Sequence, residues 1–351
     1  MKTTTKMPHG KCDEQRRSFL KLSGLLGLGA VGAALLPVDR AEAVLFGKSE
    51  YKVTRTRLAM GTYVAMTAIH PSRDQAEQAI GQAFEEIDRL TALLSRHDGK
   101  SPVAILNAEG KLASAPPEIL EVVARSLYFH RQTNGAFDIT VKPVVDLYKA
   151  RFDANRQPTE AEMREAVKRV GSDQLRFAGG TIAFAREGMG ITLDGIAKGF
   201  IVDRASELLG SKGIANHLIN AGGDIVTRGA AAKGKAWTVA IQDPAKRREY
   251  PDVIHMTNGA IATSGSYEIF YDKERMFHHI VDGRTGHSPH YATSVTVQAA
   301  TVMDADALAT ALCVMEPAAA VGFIEQHPGH ACFLMRQDGG VLRSNSWATL
   351  S

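Results

Sequence analysis

Short strand-like segments are interleaved with amphipathic helices along this chain, with no regular strand–helix–strand beat. That irregularity argues against a doubly wound parallel sheet and for an α+β fold. Ser72-Arg73-Asp74-Gln75 reads as a capping box opening a helix, with Ile80, Phe84, Ile87, Leu90 and Leu94 on one face. Before it, Thr62 to Ile69 alternates as a strand does. Further helices are predicted at 117–133, stopped by Asn134-Gly135, and at 159–170, 199–209, 304–315 and 317–326. Strands are predicted at 182–185, 218–219, 237–241, 254–256, 279–281, 294–298 and 331–335. No repeat or Pro-rich linker divides the chain, so 44–351 reads as one compact catalytic unit.

The charge balance excludes one class of partner. Of 351 residues, 41 are Lys or Arg and 38 Asp or Glu, yet the whole excess lies in residues 1–43. The remainder is neutral, which gives no support to a general attraction for nucleic acid. Three cysteines without a CxxC pair exclude a disulfide scaffold or a zinc knuckle. Cys313 and Cys332 sit in apolar runs and are expected to be buried free thiols.

Residues 1–43 read as an export signal. Arg16-Arg17-Ser18-Phe19-Leu20-Lys21 precedes a mildly apolar run from Leu22 to Leu36, and Ala41-Glu42-Ala43 is a small-x-small cleavage site. Paired arginines followed by x-Phe-Leu-Lys resemble a twin-arginine signal, which implies the twin-arginine export machinery and a periplasmic location. Gly27-Leu28-Gly29-Ala30-Val31-Gly32 fits the dinucleotide fingerprint, but no strand precedes it and it lies inside the signal. A Rossmann dehydrogenase is therefore rejected.

Four constellations could carry chemistry. Asp194-Gly195-Ile196-Ala197-Lys198-Gly199-Phe200 leads into a helix, an arrangement that suits a phosphate or pyrophosphate or, equally, a glycine turn with a surface lysine. Asn220-Ala221-Gly222-Gly223-Asp224 is a tight turn, explained either by close approach of a ligand or by an ordinary hairpin. Asp306 and Thr310, four apart on one helix face, are hard oxygen donors of the kind Mg²⁺ takes, or else capping groups. Asp304 is expected to cap that helix. His279 and Asp282 could be a base and its neighbour, or a hydrogen-bonded histidine in a strand. HExxH, GxSxG and Walker A patterns are missing, so zincin, α/β-hydrolase and P-loop readings fail.

Taken in order, these segments resemble the ApbE family of FAD:protein FMN transferases. The matching stretches are Met60-Gly61-Thr62, Ser95…Ser101…Leu106-Asn107, residues 133–141 (Thr-Asn-Gly-Ala-Phe-Asp-Ile-Thr-Val) and Asp194 to Gly199. They continue with Asn220 to Asp224, Ala262-Thr263-Ser264-Gly265, His279-Ile280-Val281-Asp282 and Ala305 to Thr310. The resemblance implies a T-fold-related domain of mixed sheets packed with helices. It also implies transfer of FMN from FAD to a Ser or Thr hydroxyl of an acceptor protein, with AMP leaving.

By the same resemblance, Asp306, Thr310 and the carbonyl of Ala197 hold Mg²⁺. Met60, Ala136, Phe137, Asp138, Asp194, Phe200 and Ile280 fall where the family contacts FAD, and Lys198 is a phosphate partner. His279 is the candidate for deprotonating the acceptor. The chain departs from the family at Asp194, where Gly is usual. That carboxylate is expected to meet a sugar hydroxyl, an adenine amine or the metal's water shell. It departs again at Gly283, where Pro is usual, and a looser turn is expected there. A respiratory flavoprotein subunit is the expected acceptor class, with a maturation factor for nitrous oxide reduction a narrower case. An FAD pyrophosphatase using water, or a periplasmic FAD-binding protein without turnover, would present the same residues.

Overall fold

The computed structural model describes residues 42–46, 49–231, 234–245, 250–266, 270–272 and 277–347. The expected export segment, up to residue 41, lies outside them. Nine strands form the main sheet, in the spatial order β1-β2-β3-β7-β8-β11-β12-β13-β14, and every pairing in it is antiparallel. These are β1 (Glu42–Phe46), β2 (Glu50–Ala59), β3 (Thr62–His70), β7 (Asn216–Ala221), β8 (Asp224–Arg228), β11 (Gly259–Gly265), β12 (Ala292–Ala299), β13 (Ala331–Arg336) and β14 (Val341–Arg343). Two smaller sheets complete the set: β4 (Lys111–Leu112), β5 (Leu175–Ala178) and β6 (Thr181–Phe184), and the hairpin β9 (Trp237–Ala240) with β10 (Val253–Met256).

Side chains alternate across a strand, so each strand feeds two cores. Met66, Ala68, Ile219, Val226, Ala260, Ala262, Val295, Cys332 and Leu334 face a large core beneath the helices. Their neighbours Ile69, Leu218, Ile225, Ile261, Phe333 and Met335 face a second core, closed by Trp237, Ile254, Met256 and Trp347. Both faces are buried, which is why β13 reads as a continuous apolar run and β8 shows little alternation. Cys313 and Cys332 are free and buried, as expected.

Among the helices that cover the large core are α1 (Arg73–Leu94), α6 (Ala197–Ser211) and α7 (Val302–Val314). The predicted face of α1 is buried throughout, and Ser72 accepts the Gln75 amide at 3.3 Å. The capping box is not reciprocal: the Gln75 side chain reaches the Lys212 carbonyl (2.9 Å), tying α1 to the end of α6. The remaining helices are α2 (Pro102–Glu109), α3 (Pro117–Gln132), α4 (Lys142–Asp153), α5 (Glu160–Val167) and α8 (Pro317–Glu325). Thr159 and Glu162 do form a full capping box on α5.

One predicted strand is not a strand. Residues 279–281 run as coil, with only an isolated bridge between Phe270 and His278 nearby. That segment docks on α4 and α5 instead: Val281 joins Tyr148 and Met163 in a third core, and the Tyr148 hydroxyl donates to the Gly286 carbonyl at 2.5 Å. Side-chain packing into two cores, with Val281 in this one and Ile280 in the large one, buries the segment without a strand partner. Among the described residues no helix is long and apolar enough to cross a membrane.

Candidate active site

The site is built where residues 195–203 run antiparallel to 302–310. A Cβ on Gly195 would stand 2.8 Å from Thr310 Oγ1. On Gly199 it would run into the Val302 carbonyl and stand 2.8 Å from Met303 Cα, so only glycine lets the two backbones touch. The Gly199 amide, in the first turn of α6, donates to Asp306 Oδ2 at 3.1 Å. Ile196 at the N-cap makes no side-chain bond, so Asp306 supplies from α7 what α6 lacks in sequence.

Asp306 is 5% exposed, whereas Thr310, Ser264, Ala197 and Lys198 around it are half-buried. Ser264 Oγ lies 3.3 Å from Thr310 Oγ1. The result is a buried carboxylate among half-buried oxygen donors beside the loop before α6. A carboxylate, hydroxyls and a main-chain carbonyl are the donors that a small hard cation takes, and Thr310 can approach the loop before α6 this closely because position 195 has no side chain. These residues fit Mg²⁺. Among the described residues no cluster of three or more His, Cys, Asp or Glu forms a conventional metal centre.

Lys198, next along α6, pairs with Asp224 (3.4 Å), which is 1% exposed at the start of β8. The β7–β8 turn is the expected hairpin, with Gly222 at φ +65° and Gly223 at φ +107°. A Cβ on Gly222 would run into Thr62 Oγ1, so this turn lies against the β2–β3 turn. Met60 (φ 52°) and Gly61 (φ 74°) make that neighbouring turn with positive φ at both positions, as a type I′ hairpin requires. Met60 is thus a non-glycine residue held in the left-handed region at the sheet end that also carries Asp224, the partner of Lys198.

Phe200 is 1% exposed, with the Arg204 guanidinium 4.9 Å from its ring, so its side chain packs in the core. Ala136, Phe137 and Ile280 are also buried in the large core. Asp138 is consumed by its neighbours: Oδ1 accepts from the Thr140 amide (2.7 Å), Thr140 hydroxyl (2.5 Å) and Ser172 hydroxyl (2.7 Å), and Oδ2 lies 3.3 Å from His130 Nδ1. Burial pushes its carboxyl up, but the bonds from His130, Thr140 and Ser172 outweigh that and leave it below the usual range. The hydrogen bond to Asp138 raises His130 in turn.

Asp194 is 58% exposed and pairs with Arg96 (3.0 Å), which also lies 3.7 Å from Asp146. The extra carboxylate is thus balanced by a guanidinium. Arg284 takes both oxygens of Asp282 at 2.8 Å. His279 is half-buried, its ring 6.4 Å from that of His278. His278 is 1% exposed, contacts the Pro289 carbonyl through Nε2 (2.7 Å), and is pushed by burial down to about 4.

Gly283 also corrects an expectation. A Cβ there would lie 3.0 Å from Val170 Cγ1, 3.2 Å from Val141 Cγ1 and 3.6 Å from Asp138 Cβ. The turn is tight, not loose, and Asp138 stands directly behind the segment that carries His279. Asp304 likewise does not cap α7. Thr301 accepts the Asp304 amide (3.2 Å), while the Asp304 carboxylate pairs with Arg125 through two bonds of 2.7 and 2.6 Å.

Sequence reasoning missed Ser264 as a donor beside Thr310, Arg96 as the partner of Asp194, and Asp203. Asp203 is four residues after Gly199 and so on the same helix face, a spacing that could have drawn attention to it.

The ApbE family model matches residues 60–334. A FAD:protein FMN transferase of Haemophilus influenzae is 32% identical over 76% of this chain and 82% of its own. The crystal structure of an ApbE protein from Thermotoga maritima superposes with a TM-score of 0.78 at 28% identity, covering 85% of this chain and 99% of the other. The flavin transferase ApbE from Vibrio cholerae gives 0.71 at 27% identity, over 88% and 99%.

Proposed function

This chain belongs to the ApbE family, and from that premise we propose that it transfers FMN from FAD to a Ser or Thr hydroxyl of an acceptor protein. In the reaction the acceptor oxygen attacks the FMN-side phosphorus. A new P–O bond forms, the pyrophosphate P–O bond breaks, and AMP leaves with the bridging oxygen. The acceptor's proton goes to a base, for which His279 is the candidate.

The observation that carries this reading is the seating of Asp306 and Thr310 against Gly195–Gly199, which gathers oxygen donors beside the start of α6. Asp306, Thr310 and the Ala197 carbonyl are the residues to hold Mg²⁺, with Ser264 beside them. Bound there, the ion supplies charge neutralisation on the pyrophosphate and on the departing phosphate. Asp306 fixes the α6 backbone through the Gly199 amide, so the loop before the helix is held as FAD arrives. Lys198 presents a cation whose position is set by Asp224. The Met60-Gly61 and Gly222-Gly223 turns supply main-chain surface that an aromatic ring can approach closely.

We place the acceptor among respiratory flavoprotein subunits and the reaction outside the cytoplasmic membrane, on the strength of the twin-arginine pattern at residues 16–21. The test is mass spectrometry of a Thr-bearing acceptor domain incubated with the protein, FAD and Mg²⁺. An FMN-sized gain on one hydroxyl residue, abolished by EDTA, is the expected result. Release of FMN and AMP with no labelled acceptor among those tried would favour hydrolysis, and no FAD turnover would overturn the enzyme reading.

A further inference from the structure

We propose that Asp203 is a positioning residue for the Asp306–Thr310 pair: its carboxylate seats the first turn of α7, and that seat sets where the pair stands against the start of α6. The proposal rests on the transferase reading above.

Asp203 lies on α6, yet both its oxygens are spent on α7. Oδ1 accepts the Val302 amide and Oδ2 the Met303 amide, each at 2.9 Å. These are the first two orphan donors of α7, and the third is already met by its own N-cap, Thr301. Ordinary capping is therefore present, and Asp203 adds a second clamp from outside the helix. One turn away the exchange is reversed, with Asp306 of α7 accepting from Gly199 of α6. Each helix caps the start of the other.

The contact has no slack. Gly199 lies against the Val302 carbonyl with no room for a Cβ, so the first turn of α7 cannot slide along α6 without a clash or a lost bond. Asp306 and Thr310 follow Val302 by one and two turns of the same helix, and Thr310 is itself fitted against Gly195. A few tenths of an ångström at Val302 is therefore felt at both oxygen donors.

The surrounding charges show that the carboxylate is retained against a cost. Burial pushes Asp203 up to about 6, the two amides and Arg228 of β8 pull it down, and Asp304 of α7 opposes ionisation. Asp304 is in turn neutralised by Arg125 of α3. A neutral side chain would spare the fold that desolvation, whereas only a carboxylate of this length offers two acceptors to two successive amides.

The test compares the full chain with Asp203→Asn and Asp203→Ala in two measurements: amide hydrogen exchange across 302–310 by mass spectrometry, and the Mg²⁺ concentration for half-maximal FAD turnover. Alanine is expected to speed exchange at the start of α7 and to raise the Mg²⁺ requirement roughly tenfold, with the rate at saturating Mg²⁺ changed far less. Asparagine, which keeps one acceptor and the shape, is expected to fall between, and carries the test if alanine fails to fold. Faster exchange with a wild-type Mg²⁺ requirement would overturn the proposal and leave Asp203 merely structural. A wild-type protein with no Mg²⁺-dependent turnover would instead overturn the transferase reading, and the positioning role with it.

Discussion

The Asp306 carboxylate accepts the amide of Gly199 at 3.1 Å, across 107 residues of sequence. One oxygen thus completes the first turn of α6 on a side chain already singled out as a metal ligand. The same acid that would hold the ion also holds the backbone of the loop that the substrate's phosphates must approach.

Gly199→Ala is expected to cost stability out of proportion to one methyl. Its Cβ would meet the Val302 carbonyl and Met303 Cα, both backbone atoms, so α6 and α7 must separate. A cost of about 1–3 kcal/mol is expected from such overpacking. Urea denaturation reads it, and an unchanged midpoint would mean that the helices part easily.

Asp306→Asn separates the two duties of that residue. The amide oxygen can still accept from Gly199, so the urea midpoint should stay near wild type. FAD turnover should fall on the order of 10²-fold, as expected when a charged stabiliser of the transition state is lost. Asp306→Ala should lose turnover and also about 1–3 kcal/mol, because the buried Gly199 amide is orphaned. Wild-type turnover in Asp306→Asn would remove Asp306 from the metal site.

Helices were legible where their own side chains mark them. The buried stripe of α1 and the Asp306–Thr310 spacing are local patterns, and both stand in the structure. The two-core sheet was harder, because β8 and β11 bury both faces and lose their alternation. Asp203 was missed, and Asp306 only half legible, for another reason. Their partners are backbone amides about a hundred residues away, and an amide leaves no mark in a sequence. Phe200 belongs to a family segment, and its side chain packs inward. The pairing of Asp282 with Arg284, two residues on, went unread beside the nearness of His279.

Acid should weaken the fold through its buried histidines. Burial holds His217 at about 4, and its ring is bonded to Ser206 and the Ile214 carbonyl, while His278 is held at about 4 as well. Both folded values lie below the unfolded value near 6.5, so the unfolded chain binds more protons between about 6.5 and 4. Their contribution is fully present above pH 6.5 and is lost as pH falls toward 4, by on the order of 2–3 kcal/mol each. Asp203 runs the other way, since its folded value near 6 exceeds the 3.8 of a free carboxyl, but it is one group against two. Urea midpoints at pH 7 and 4.5 should therefore drop with acid, and His217→Gln should narrow the gap. Equal gaps in the two proteins would assign the acid sensitivity elsewhere.

Gly283→Ala probes the segment that carries His279 without touching α7. Its new methyl would press on Val170 and Val141 at 3.0 and 3.2 Å, contacts that side chains can relieve by moving a little. A stability cost near the low end for overpacking, about 1 kcal/mol, is expected. The displaced segment should slow FMN transfer while leaving the Mg²⁺ requirement unchanged, because Asp306, Thr310 and Gly199 are not disturbed. That pattern is the reverse of the one expected for Asp203→Ala, where the Mg²⁺ requirement moves and the saturated rate changes far less. If Gly283→Ala costs stability and transfers FMN at the wild-type rate, the packing of this turn does not place His279 for proton removal.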